Sequence, residues 1–350
     1  MDSQPQHTSS FRPWLSLSIL VLAIAGITAV FALTNPEKKC NCPPAGWTII
    51  RPPYVVPAMV EQGQRIWAGG YDGILAIDRQ TGSLISPPAS GWPPLSQVNA
   101  LMVDRNDALW IAHWAGLTRY ADGSWQTFTG ADGLTPGAVK AVFEDRDGNL
   151  WAGTESGVAK YDGSHWVRYT GKDGLKALPV DVIYQDREGI LWFGSSSPSH
   201  GGLCSFDGTK WSGYSTDNGL IHNSVNAIMQ DRHGILWVAT GFGNYGGASK
   251  FDGNRWSAVT KSDGLAGDKV RSLFEDREGH LWFGSENDGL AVNDGGMWVT
   301  ITPDDGLAGW EVLKIVQDKD GVLWLGTEDG ISRIQSVDYA LSVGKRSTAR

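Results

Sequence analysis

The sequence predicts an all-β fold in which one small antiparallel sheet is repeated seven times, and three observations carry that prediction. First, a phrase recurs: an acidic residue, a polar turn, then Leu-Trp and a small residue. Its fullest form is Asp145-Arg146-Asp147-Gly148-Asn149-Leu150-Trp151-Ala152-Gly153-Thr154, with returns at 186–195, 231–240, 276–285 and 318–327 and weaker copies at 104–113 and 61–70. Second, Trp67, Trp110, Trp151, Trp192, Trp237, Trp282 and Trp324 stand 41 to 45 residues apart, each six positions after its acidic residue. A period of that size belongs to a propeller or a solenoid. Third, 45 glycines and 17 tryptophans in 350 residues imply many tight turns between short strands that carry bulky side chains.

The unit reads as four strands. Residues 139–143 form a nearly continuous apolar run, as expected of a strand buried on both faces, and Asp145-Arg146-Asp147-Gly148 is hairpin-turn chemistry. Residues 150–153 make the second strand, and 158–161 the third, ended by Asp162-Gly163-Ser164. Residues 166–169 make the fourth. Trp125, Trp166, Trp211, Trp256 and Trp298 mark that fourth strand, and an Asp-Gly-Leu or Asn-Gly-Leu connection closes five units at Leu134, Leu175, Leu220, Leu265 and Leu307. Four short antiparallel strands per repeat describe a propeller blade, so the chain is expected to form a seven-bladed β-propeller of four-stranded antiparallel blades over residues 47–335. Each tryptophan is expected to wedge between neighbouring sheets, with its indole N–H in need of a partner.

Closure of the ring needs a fourth strand for the last blade. Two segments are available, 47–50 from the N-terminal side and 339–343 from the C-terminal side. The first is preferred, because Trp47 supplies the fourth-strand tryptophan and would join the two ends of the ring. The first blade departs from the pattern: Ser83-Leu84-Ile85 replaces its tryptophan strand and Gly91-Trp92-Pro93-Pro94 the loop that follows.

Ahead of the repeats lie a short polar tail, 1–13, and an uncharged apolar run, 14–33. As a helix this run spans about 30 Å, the thickness of a bilayer's hydrocarbon core, so one N-terminal transmembrane helix is expected. Val30-Phe31-Ala32 also offers a signal-peptide cleavage pattern, and the alternative of a cleaved signal stays open. Arg12 flanks one end and Lys38 and Lys39 the other, so flanking charge does not set the orientation. Residues 34–46 read as a Pro-rich tether and 336–350 as a C-terminal tail. Cys40 and Cys42 read as spacer thiols. With Cys204 they make neither a disulfide framework nor a zinc ligand set.

A formal net charge of -9 without clustered Lys and Arg argues against a nucleic-acid partner, which requires phosphate neutralisation. No residue pattern calls for a cofactor or a metal. The Asp-Arg-Asp/Glu-Gly turns, although acidic, read as self-capping turns. Their arginines, Arg146, Arg187, Arg232 and Arg277, are expected to pair with neighbouring carboxylates.

The phrase at 144–154, with Gly157 and Tyr161-Asp162-Gly163 after it, resembles the two-component regulator propeller repeat, and the resemblance runs seven times across 55–335. It implies a bacterial, ligand-binding sensor propeller held outside the cytoplasm by a single-pass anchor at the cell membrane. In that family such propellers form the sensor part of hybrid histidine kinases. Here the sequence ends at Arg350, shortly after the last repeat, so the expected output is through another protein, a membrane sensor kinase.

In a four-stranded meander the loops between strands two and three emerge on the same face as the connections between blades. That face is the expected binding site. Its candidate residues are Tyr71, His113, Trp114, Glu155, Ser196, Phe242, Tyr245, Glu286, Asn287, Trp310 and Glu328. Aromatic faces around carboxylates suit a saccharide, a peptide or another small molecule. The plainer reading is that these are rim residues satisfying their own turns. An alternative function is a lyase, because streptogramin lyases are similar seven-bladed propellers with a metal and a His/Glu pair on that face. His113 and His200 with Glu155 or Glu286 would be its candidates; no catalytic residue is assigned on the preferred reading.

Overall fold

The computed structural model describes residues 44–87 and 92–348. Seven antiparallel sheets follow one another along the chain. We number them as blades by their innermost strands: Ala58–Gln62, Ala100–Val103, Val139–Glu144, Val182–Gln185, Val225–Gln230, Val270–Glu275 and Val312–Gln317. Each innermost strand lies beside the next, and the seventh lies beside the first, so the sheets close into a ring. Blade 3 shows the meander in full: Val139–Glu144, Leu150–Thr154, Val158–Tyr161 and Trp166–Tyr169, paired in that order. The expected tail and transmembrane segment, 1–33, lie outside the described residues. Among the described residues no helix is long and apolar enough to cross a membrane.

One carboxylate per blade explains the repeated phrase. Asp145 Oδ1 accepts the N–H groups of Asp147 and Asn149, closing the hairpin, while Oδ2 accepts the indole N–H of Trp151 at 2.7 Å. The turn and the core are thereby tied to one side chain, and a buried indole N–H is satisfied. Blades 2 to 7 all make this bond, at 2.7 to 2.9 Å.

Blade 1 corrects the alignment drawn from spacing. Its hairpin is one residue shorter, and the indole of Trp67 donates to Gln62, not to Glu61. Glu61 therefore takes the place held in other blades by Glu144, Gln185, Gln230, Glu275 and Gln317. Those side chains accept a backbone N–H from the preceding blade's turn, from Arg105, Arg146, Arg187, Arg232 and Arg277 respectively.

The turn arginines behave differently from expectation. Arg146 donates to the carbonyls of Asp186 and Arg187, Arg187 to that of Arg232, and Arg277 to those of Asp318 and Lys319. Arg232 alone among the four adds a carboxylate, Glu275. The aspartates of the next turn are already occupied by their own backbone and indole, which leaves carbonyls as acceptors on that side.

The indoles pack between blades. Trp151 of blade 3 lies with Ile183, Phe193 and Phe206 of blade 4, and Trp324 of blade 7 lies with Met59, Ile66 and Ile77 of blade 1. Burying one such side chain removes about 150–250 Å² from water, an upper bound of roughly 4–6 kcal/mol before ordering costs.

Trp47–Ile50 pairs with Gly330–Ile334 and completes blade 7. The ring is thus joined by chain segments from its two ends. The competing segment, 339–343, lies in a helix, Val337–Val343, that buries Val337, Ala340 and Leu341 against the last two blades. Beyond it Lys345–Thr348 adds a fifth strand to blade 6, beside Met297–Ile301. In blade 1 the outer strand shrinks to Leu84–Ile85, and Trp92 stands edge-on to Trp67 with ring centroids 5.1 Å apart.

Candidate functional site

The meander sends the hairpins of the indole-binding aspartates to one face, and the loops after each second strand to the other, together with the connections between blades. On that second face apolar side chains stand in water. Tyr71 is 68% exposed, Trp114 55%, Phe242 55%, Tyr245 76% and Trp310 44%. Tyr54 and Val55, in the connection from blade 7 to blade 1, are exposed beside them, and Val55 N–H donates to the carbonyl of Glu328. The other exposed large apolar side chains among the described residues, Leu84, Val167 and Met297, belong to the fourth strands of their blades.

These aromatics are not evenly spread. Trp310 lies between blades 6 and 7, Tyr54 between 7 and 1, Tyr71 on blade 1 and Trp114 on blade 2, which makes an arc over adjacent blades. Phe242 and Tyr245 face each other at the tip of the blade 5 hairpin, whose seven-residue strands outreach the four- and five-residue strands at the same place in blades 3 and 4. Gly243 with φ +65° makes that tip.

The polar candidates are mostly committed to internal bonds. Both oxygens of Glu328 are taken, by the N–H groups of Trp310 and Glu311 at 2.8 Å, and this seats the Trp310 loop. Glu286 is held by Lys269 and Arg271. The Asn287 amide donates to the carbonyl of Glu286 and accepts from the Lys269 ammonium. Ser196 donates through its N–H and hydroxyl to Asp181. Glu155 remains exposed and makes no hydrogen bond or ion pair among the described residues. Glu286, Asn287, Trp310 and Glu328 come together around a cleft of about 340 Å³.

Glu311, which the sequence reading did not single out, completes that cleft. Burial pushes its carboxyl up, Arg271 at 3.2 Å counters, and Glu286 and Glu328 add to the rise.

His113 is buried, not displayed. Its Nδ1 accepts the N–H of Ala115, so Nε2 donates to the Thr118 hydroxyl at 2.9 Å, and burial pushes its pKa down. A ring engaged at both nitrogens is not offered to a metal. His200 bonds Ser199 on a separate, exposed loop. Among the described residues the single group of three potential metal-ligating side chains is Asp276, Glu278 and His280. It lies on the hairpin face, and there Asp276 already holds the Trp282 indole and the His280 ring.

The second feature missed by sequence reasoning is the bore of the ring, a channel of about 390 Å³ walled by the innermost strands. Polar side chains enter it at one register: Asn99, Lys140, Asp181, Asn226 and Arg271 each stand eleven residues before their blade's core tryptophan. The available signal was a charge or amide interrupting an apolar run, as in Val139-Lys140-Ala141 and Val270-Arg271-Ser272.

Five stretches, 133–156, 174–197, 219–242, 264–287 and 309–329, match the two component regulator propeller family. Each runs from an Asp-Gly-Leu-type connection or its equivalent through the inner hairpin of blades 3 to 7. No curated protein matches the chain in sequence. Among solved structures the chain is similar to the extracellular domain assigned to the hybrid two component system BT3049 of B. thetaiotaomicron, with TM-score 0.72 and 20% identity, over 85% of this chain and 42% of that one. It is also similar to PorZ, a surface component of the type-IX secretion system of Porphyromonas gingivalis (TM-score 0.63, 18% identity, 82% of this chain and 47% of that one). A streptogramin B lyase aligns with TM-score 0.61 at 15% identity, over 80% of this chain and 92% of that one. At these identities the likeness is one of fold, and the chain spans less than half the length of the first two.

Proposed function

The chain belongs to the two component regulator propeller family, and from that premise we propose that it is a non-catalytic binding module. Its loop face receives a saccharide or peptide outside the cytoplasm, and its output passes through a membrane sensor kinase. The observation that carries this reading is the gathering of exposed aromatic side chains on one face: Trp310, Tyr54, Tyr71 and Trp114 in an arc, with Phe242 and Tyr245 raised on a hairpin. Exposed aromatic surface of this kind marks a binding site, since rings stack on the apolar faces of sugars and on peptide side chains. Of the glutamates singled out on that face, Glu155 is the one with a free oxygen pair for hydroxyl or amine donors. A tether at the cell membrane is supported by the uncharged run 14–33, and an extracytoplasmic position by the fold shared with an extracellular two component domain.

Hydrogen exchange on the full chain, with a panel of neutral oligosaccharides and cell-wall muropeptides, tests this. Protection is expected in the loops carrying Tyr71, Trp114, Phe242 and Trp310. Exchange unchanged by every member of the panel contradicts the reading.

A further inference from the structure

The channel carries unbalanced positive charge. Four of the seven innermost strands bulge at the channel register, at Lys140, Asn226, Arg271 and Leu313, and a bulge re-aims the extra side chain away from the blade interface, while Lys314 stands one position beyond its bulge, paired with Gly326. Among the cations, Arg271 is spoken for by Glu286 and Glu311. Lys140 and Lys314 make no hydrogen bond or ion pair among the described residues, and both line the channel. Lys314 is surrounded closely enough that burial pushes its pKa down with no opposing charge beside it.

Among the described residues Asp181 is the one carboxylate in the channel wall. Burial pushes its carboxyl up, one of its oxygens is held by Ser196, and Lys140 and Glu155 act on it only at a distance. Two ammonium groups against one carboxylate leave an excess positive charge in a protein of net charge -9. Lys140 is on blade 3 and Lys314 on blade 7, as far apart as two blades in a ring of seven can stand, so they enter from opposing walls. Holding a half-buried ammonium in a confined space is unfavourable unless an anion joins it.

We propose that the central channel binds a small dianion, a dicarboxylate or phosphate, held between Lys140 and Lys314. This site is independent of the loop-face aromatics. The proton balance follows from the chemistry. The free Lys314 amine gives up its proton more readily than an ordinary lysine, and an anion beside it restores the charged form. Binding therefore takes up protons, and affinity strengthens as pH falls from the ordinary lysine range near 10.

Calorimetric titration of the full chain with sodium succinate, and separately with inorganic phosphate, at constant ionic strength tests the proposal. Saturable one-to-one binding of at least one probe is expected, and which one saturates distinguishes a dicarboxylate from a phosphate ligand. Succinate, or phosphate if only it binds, is followed further. Lys314→Met and Lys140→Met should each weaken it about tenfold or more, while Trp114→Ala leaves it unchanged. For succinate the affinity at about pH 7 should exceed that at about pH 9. No saturation by either probe up to about 10 mM, or undiminished affinity in Lys140→Met, overturns the proposal. Should Lys314→Met fail to fold, Lys140→Met decides it.

Discussion

The backbone N–H of Lys319 donates to Glu61 Oε2 at 3.0 Å across 258 positions of sequence. It is the same bond that Arg105 makes to Glu144 between blades 2 and 3, here made between the last blade and the first. Around it Arg79, only 2% exposed, sits against Glu61, Asp318 and Asp320. Ring closure is therefore electrostatic on the hairpin face and, through Trp47–Ile50, a matter of strand pairing within blade 7.

Glu61→Ala removes both a cross-blade acceptor and a partner of a buried guanidinium. It should cost about 2–3 kcal/mol in urea denaturation. Glu144→Ala, whose arginine partner is half exposed, should cost about 1 kcal/mol.

Asp145→Ala strands a buried indole N–H and two turn N–H groups at once. A loss of about 3 kcal/mol is expected, read from the denaturation midpoint at unchanged slope. Asp145→Asn keeps one acceptor oxygen and should lose about half as much.

Glycines at positive φ divide into two kinds. Gly264, φ +125°, lies against the Trp298 ring, so a Cβ there would run into the indole, whereas Gly163, φ +98°, faces open space. Gly163→Ala should cost about 1 kcal/mol from backbone strain alone. Gly264→Ala should cost about 3 kcal/mol or more, because strain and overpacking add.

The outer turn aspartates predict the acid limb of stability. In Asp162 the N–H of His165, then the N–H and hydroxyl of Ser164, push the carboxyl down to about 2; Asp207 and Asp252 are lowered in the same way. A depressed folded pKa stabilises above the unfolded value of about 3.9, and that contribution fades as pH falls toward 2. The Tm difference between wild type and Asp162→Asn should be constant above about pH 5, shrink as pH falls through about 2, and vanish near pH 1. A difference unchanged over that range would rule out this cause.

What was legible in the sequence, and what was not, follows from which residues carry periodic signals. The tryptophans and their aspartates recur at fixed spacing because each serves one turn and one interface, so blade number, strand order and the closing strand could be read directly. Glu61 was misplaced by one position because a shorter hairpin keeps the acidic residue while shifting its job. The turn arginines were misassigned because carbonyls leave no mark in a sequence. The bonds that tie Glu286 and Glu328 into their own loops join positions 15 to 18 residues apart and so had no local signature. Lys140 lay inside a strand read as a nearly continuous apolar run, and Lys314 inside its counterpart in the last blade.

The most direct test of the loop-face reading is the affinity of the best oligosaccharide or muropeptide from the exchange panel for wild type, Tyr71→Ala and Trp114→Ala. Both side chains are exposed, so each variant should keep the wild-type Tm within a degree or two, and Kd should rise about tenfold per aromatic removed. Affinity unchanged in both variants would contradict the assignment of that face as the binding site.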